Sequence, residues 1–180
     1  GYEYQKAAMQ DLRKDHQMTF PPVLSLQSGS MEGISGRDFH LIGLLPQGKS
    51  TDSYLEVLTR LHEQFDEPSN LMIWSVFESP DSVNLKGIYT SKLPRDTSQL
   101  LYWSATPNQF SNFVADLNLL PEESAKLKDG LIVLVDDSLY VRRAFAYQEE
   151  TALRQLVERT AILLPERSKP EPELRRSPEL

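Results

Sequence analysis

The chain has 180 residues, 39% hydrophobic and 25% charged, the make-up of one ordinary globular domain rather than two. With 26 acidic against 19 basic residues the net charge is −7, which argues against nucleic acid or an anionic membrane surface as the main partner. The absence of cysteine excludes disulfides, thiolate metal centres, iron–sulfur clusters and thiol nucleophiles, and no apolar run has the length a membrane-spanning helix needs.

Residues 2–16 are rich in helix formers, with Tyr4, Ala8 and Leu12 as the main apolar anchors, and predict a leading helix or stalk within residues 1–19. The first residue is Gly1, not Met, which is compatible with a removed signal or anchor segment ahead of it. Pro21-Pro22 interrupts what precedes. Val23–Leu26 reads as a short strand, and Gly29, Gly33 and Gly36 mark a turn-rich connector. Phe39–Leu45 is an apolar run with one histidine. After Gly48, the residues Tyr54, Val57, Leu58, Leu61 and Phe65 recur at helical spacing behind a cap from Ser50, Thr51 or Asp52. Pro68 ends that helix, and Leu71–Phe77 is apolar enough for a strand buried on both faces, parallel to the first.

Residues 80–93 carry a weak pattern through Val83, Leu85 and Ile88. Leu100–Ala105 is a third strand, followed by Thr106 as a helix cap, Pro107 at the first helical position, and an apolar face of Phe110, Phe113, Val114 and Leu117. Leu131–Val135 is a buried strand, Asp136-Asp137-Ser138 a turn, and Leu139–Tyr147 a strand returning antiparallel. A last helix, from about Glu149 to Leu164, turns Leu153, Leu156, Val157, Thr160, Leu163 and Leu164 inward and sets Glu150 beside Arg154. The domain then spans 20–165. The tail 166–180, with three prolines and many charges, cannot bury enough surface to fold alone and reads as a linker or docking tail.

One motif is complete. Gly43-Leu44-Leu45-Pro46-Gln47-Gly48-Lys49-Ser50 matches GxxxxGK[ST] between a predicted strand and a predicted helix. In a small nucleotide-binding protein or NTPase, Gly43 and Gly48 would shape a phosphate cradle, Lys49 would contact the outer phosphates, Ser50 would ligate Mg²⁺, and Asp136 would hold the metal shell. Against this, Pro46 lacks an N–H, Leu44 and Leu45 belong to the strand, and Asp52 would compete with a phosphate for the helix N-terminus. The plain alternative is a loop and helix cap. The three histidines, His16, His40 and His62, are too dispersed for a metal spacing. His40, Trp74 and Trp103 read as core, Asp136-Asp137 as a turn and Glu122-Glu123 as a helix start, so no metal or catalytic residue is assigned.

The element order is that of an α/β, thioredoxin-like domain of the peroxiredoxin/Sco branch, with a central mixed sheet flanked by helices. PPVLSLQSGSMEGISGRDF resembles the opening of the peroxiredoxin-like branch. LIVLVDDSLYVRRAFAYQEETALRQLVERTAILLPE resembles the close of the Sco/SenC copper-chaperone family, and the likeness covers roughly residues 20–165. That family carries a Cys-x-x-x-Cys pair between the first core strand and first helix, and a His shortly before the VLVD strand. The corresponding positions here are Gln47, Thr51 and Lys128, none of which suits a soft copper site. The resemblance implies a cysteine-less, non-enzymatic relative without cofactor or metal, facing the periplasm and membrane-anchored only through a removed N-terminal segment. Its partner would be a protein in respiratory oxidase assembly or an envelope complex, met by Gln47, Lys49 and Thr51 or by the tail. The direction of the strand 139–147 discriminates between the two readings.

Overall fold

The computed structural model describes residues 13–20, 38–49, 51–66, 70–79 and 99–164. The expectations for residues 1–12, the 23–26 strand, Ser50, the 80–93 element and the tail 166–180 lie outside the described residues. Along the chain come β1 (Phe39–Leu45), α1 (Thr51–Gln64), β2 (Leu71–Glu78), β3 (Leu100–Ala105), α2 (Pro107–Asp116), α3 (Pro121–Ser124), β4 (Leu131–Val135), β5 (Val141–Phe145) and α4 (Glu150–Leu163). A 3-10 turn, Leu127–Asp129, links α3 to β4.

The five strands form one sheet in the order β3-β2-β1-β4-β5. β1, β2 and β3 run parallel, β4 is antiparallel to β1, and β5 is antiparallel to β4. The expected antiparallel return is therefore present, shortened to Val141–Phe145. Because side chains alternate across a strand, the apolar runs feed two cores. Leu41, Leu45, Ile73, Phe77 and Leu134 pack against α1 and α4, while Ile42, Leu44, Trp74, Val76 and Val133 pack against α2. A sheet covered on both faces explains why β1, β2 and β4 are apolar almost throughout instead of alternating. Trp74 and Trp103 are core residues that meet the Phe113 ring of α2 tilted and edge-on respectively, and His40 is buried with Phe20 edge-on at 5.1 Å.

Local signals place the helices. Thr106 accepts the Gln109 N–H and the Gln109 side chain accepts the Thr106 N–H, a reciprocal cap that starts α2 at Pro107. At the hairpin, Asp136 is buried and accepts from the Ser138 and Tyr140 N–H groups and, at 2.8 Å, from Arg142 Nε. It is a turn-forming carboxylate.

Two expectations change. Residues 13–16, the end of the predicted leading helix, are not helical. His16 accepts from the Val141 N–H, Gln17 bridges Tyr140 and Met18 enters the core. Arg13 donates at 2.7 Å to the buried Glu123 and also to the Leu117 and Asn118 carbonyls at the C-terminal end of α2. These tertiary contacts outweigh a helical preference worth tenths of a kcal/mol per residue. Glu150 also pairs with Arg60 of α1 at 3.7 Å instead of with Arg154, because α1 and α4 lie on the same face of the sheet.

Candidate functional site: the loop after β1

The parallel strands β1 and β2 end at one pole of the sheet. β4, being antiparallel, starts there, and β5 returns there with Tyr147 and Gln148 just beyond it. Loop 46–49, the 127–129 turn and residues 147–148 thus converge. The Gln47 side chain is exposed while its N–H donates to Glu78 Oε1 at 2.8 Å. Lys49 Nζ lies 3.4 Å from Asp129 Oδ1, with side-chain exposures of 31% and 51%. Gln148 in turn donates to the Asp129 carbonyl at 3.3 Å. Thr51 opens α1 half-buried, and Lys128 is exposed in the turn beside Asp129.

Beneath this polar surface sits a pair of tyrosines. Tyr54, in the first turns of α1, shares a hydrogen bond with Ser75 of β2 and stacks edge-on against Tyr147 at 5.3 Å and Phe77 at 6.0 Å. Burial pushes the Tyr54 phenol well above its ordinary ionisation range, against a smaller opposing effect from the Ser75 hydrogen bond. Burial likewise raises the Tyr147 phenol; the Gln148 side chain opposes the shift and the nearby Asp129 adds to it. Both rings stay neutral and structural at physiological pH.

The nucleotide-binding expectation fails on this geometry. Gly43 is a mid-strand residue, registered between Ser75 and Ile132, and a Cβ there would overlap the Tyr54 phenol. Its lack of a side chain makes room for a ring, not for a phosphate. Lys49 is turned to Asp129. Asp136 follows Val135, which pairs with His40, so it lies at the opposite end of β1 from Leu45, roughly 16 Å away at the usual rise per residue. It is also held by Arg142. Gly43, Gly48, Lys49 and Asp136 are therefore not gathered round one ligand.

The residues predicted at the site, Gln47, Lys49 and Thr51, lie at this pole, as does Lys128, the position where the resembled family has its histidine. Asp129, Glu78 and the Tyr54–Tyr147 pair were not anticipated. A tyrosine in the apolar register of α1 and a glycine inside the facing strand were the available signal for that pair. Among the described residues, no group of three His, Asp or Glu stands where a metal ion could be held, and no helix is long and apolar enough to cross a membrane.

No protein-family model matches the chain, and no curated protein matches it. Solved structures do. A SCO1/SenC family lipoprotein from Bacillus anthracis str. Ames is similar with a TM-score of 0.61 at 14% identity, covering 84% of this chain and 96% of that one. BsSco, a member of the Sco family of cytochrome c oxidase assembly proteins, gives 0.57 at 15%, covering 77% and 91%. A thioredoxin-family thiol:disulfide interchange protein from Chlorobium tepidum TLS gives 0.55 at 11%, covering 83% and 97%. At such identities the likeness establishes the fold: a thioredoxin-like domain of the kind used by Sco/SenC proteins, here without a cysteine.

Proposed function

We propose that this is a non-catalytic, Sco/SenC-related thioredoxin-like protein that binds a protein partner through the pole formed by residues 46–52 and 128–129. The partner would belong to respiratory oxidase assembly or another envelope complex. The observation that carries the reading is the Lys49–Asp129 contact. The loop between β1 and α1 and the turn before β4 hold Gln47, Thr51 and Lys128 where the resemblance puts two thiols and an imidazole. An ion pair now spans the same two segments. Thiolate, soft-metal and disulfide chemistry need cysteine, and this chain has none. What such a surface retains is an exposed, polar loop on a rigid scaffold, the usual place for recognition. An extracytoplasmic location and an N-terminal anchor belong to the same proposal, supported by the likeness to a Sco/SenC lipoprotein.

The test is site-specific photo-crosslinking in the native cell, with the crosslinker at Gln47, at Thr51, and at Glu63 on the solvent side of α1 as a control. A shared adduct from Gln47 and Thr51, absent at Glu63 and containing an oxidase subunit or assembly factor, supports the reading. Equal adducts at all three positions, or none at the pole, overturn it.

A further inference from the structure

Residues 13–20 lie across the end of the sheet opposite the pole and are held there from one side. Gln17 forms a single antiparallel bridge with Tyr140, closed by the Met18 N–H on the Leu139 carbonyl at 2.8 Å and the Val141 N–H on the His16 carbonyl at 2.7 Å. His16 Nε2 donates to the Asp116 carbonyl, the Thr19 N–H to Asp116 Oδ2 at 3.3 Å, and the Gln17 side chain to the Ser138 carbonyl at 2.7 Å. Arg13 reaches Glu123 and the Leu117 and Asn118 carbonyls. Among the described residues, every hydrogen-bond and ion-pair partner of this segment outside itself thus falls within residues 116–141. None is in β1, β2 or β3. Toward those strands the segment offers Met18, buried in their core, and the Phe20 ring, 5.1 Å from His40 and 5.9 Å from Trp74.

The polar groups on both sides of this contact are provided for when it breaks. Glu123 also accepts the Leu120 N–H at 2.9 Å and the Ala144 N–H at 2.7 Å, so departure of Arg13 does not leave the carboxylate without donors, and the guanidinium returns to water. The closed arrangement carries its own cost. The Trp74 indole N–H, on a ring that Phe20 meets, is buried with no hydrogen-bond partner among the described residues, a loss that water relieves once Phe20 moves away. One bridge with two backbone bonds is also a slight attachment beside β1 and β2, which pair along the whole of β1, and segments held so lightly open before the core does.

We infer that residues 13–20 form a strap that opens and closes as a unit while the sheet stays folded, with the Arg13–Glu123 contact as its latch. Closed, the strap covers the Val141 end of the outer edge of β5. Open, it uncovers that edge, the seat of Met18 and the terminal carbonyls of α2 together. Val141 pairs with Val135, which lies beside His40, so the strap sits at the other end of β1 from Gln47 and Lys49, and the inference stands apart from the reading of the pole.

The experiment is hydrogen exchange by NMR on the full ¹⁵N-labelled chain in a series of urea concentrations below the unfolding transition. The Met18, Thr19 and Val141 amides and the Trp74 indole N–H are expected to exchange through one common opening, faster and with less dependence on urea than the Ile42 and Val133 amides at the centre of the sheet. Arg13→Gln should populate that opening about tenfold more, the loss expected for one charge-assisted contact, whereas Asp15→Asn, on the exposed side of the strap, should leave it unchanged. Because the chain has no cysteine, Gln17→Cys/Tyr140→Cys carries the only thiols, placed on directly paired residues. Oxidising that pair should abolish the separate opening and bring the strap amides to the behaviour of Ile42 and Val133, and reducing it should restore the difference. The measurement on the parent chain stands whether or not the variants fold. The inference is overturned if the strap amides follow Ile42 and Val133 in the parent, if the Trp74 indole does not open with them, if Arg13→Gln exchanges as the parent does, or if oxidation leaves the strap amides unchanged.

Discussion

Tyr54 of α1 reaches over Gly43 of β1 to hydrogen-bond Ser75 of β2, so one phenol ties a helix to a strand across the strand between them. The contact is wholly buried. It forms directly under the loop that carries Gln47 and Lys49, and so fixes the height of α1 against the pole. Gly43→Ala would place a methyl group inside the phenol and is expected to cost about 3 kcal/mol through overpacking and loss of the bond. Urea unfolding followed by tryptophan fluorescence measures it. In a Gly43→Ala/Tyr54→Leu double variant the two losses should be less than additive, since both disrupt one contact.

The same phenol gives a pH signature. A tyrosine whose folded-state ionisation is raised above its ordinary value near 10 keeps its proton in the folded state while the unfolded chain releases it. Its contribution to stability is thus complete below pH 10 and declines as pH rises beyond that. Tyr147 acts in the same direction. Tyr54→Phe is expected to lower stability at pH 7 by about 1 kcal/mol, leaving the Ser75 hydroxyl unmatched, and to flatten the decline above pH 10. Denaturant midpoints at pH 7, 9, 10 and 11 for both proteins decide the matter.

The Lys49–Asp129 pair is partly exposed, at 31% and 51%, and ion pairs of that kind contribute little to stability. Lys49→Met and Asp129→Asn should each lower stability by about 0.5 kcal/mol or less while speeding hydrogen exchange at Gly48 and Lys49. A large loss of stability would make the pair a structural strut and weaken the case for a recognition surface.

Asp136 provides the opposite case. It is buried, with Arg142 equally enclosed 2.8 Å away, and removing one member of a buried pair strands the other. Asp136→Asn is expected to cost about 3 kcal/mol, read as a drop in melting temperature. Calorimetric titration of the parent chain with MgATP and MgGTP should give no saturable heat, and Lys49→Ala should give the same result. Micromolar binding lost in Lys49→Ala would revive the nucleotide site.

Much of the fold was legible because it rests on local or strictly periodic signals. β1, β2 and β4 announce themselves as short continuous apolar runs, since a strand covered on both faces has no polar side to show. The Thr106-Pro107 start of α2 is readable because its cap chemistry spans four consecutive residues. The pole was legible only in part: Gln47, Lys49, Thr51 and Lys128 were placed by a resemblance, while Asp129 and the tyrosine pair were not.

What the sequence determined by itself is the exclusion of thiol chemistry and the order of the described strands β1–β5 and of the helices α1, α2 and α4, because residue type and periodicity suffice for both. Only the tertiary structure decided the rest. GLLPQGKS matches a phosphate-binding string residue by residue, yet whether Asp136 stands beside it depends on the direction of β4, and the antiparallel pairing carries that residue to the far end of the sheet. Residues 13–16 compose well as a helix, but Arg13 meets Glu123, 110 positions away. Lys49 meets Asp129 at a separation of 80. Contacts of that range exist only once the sheet has closed, and no local preference encodes them.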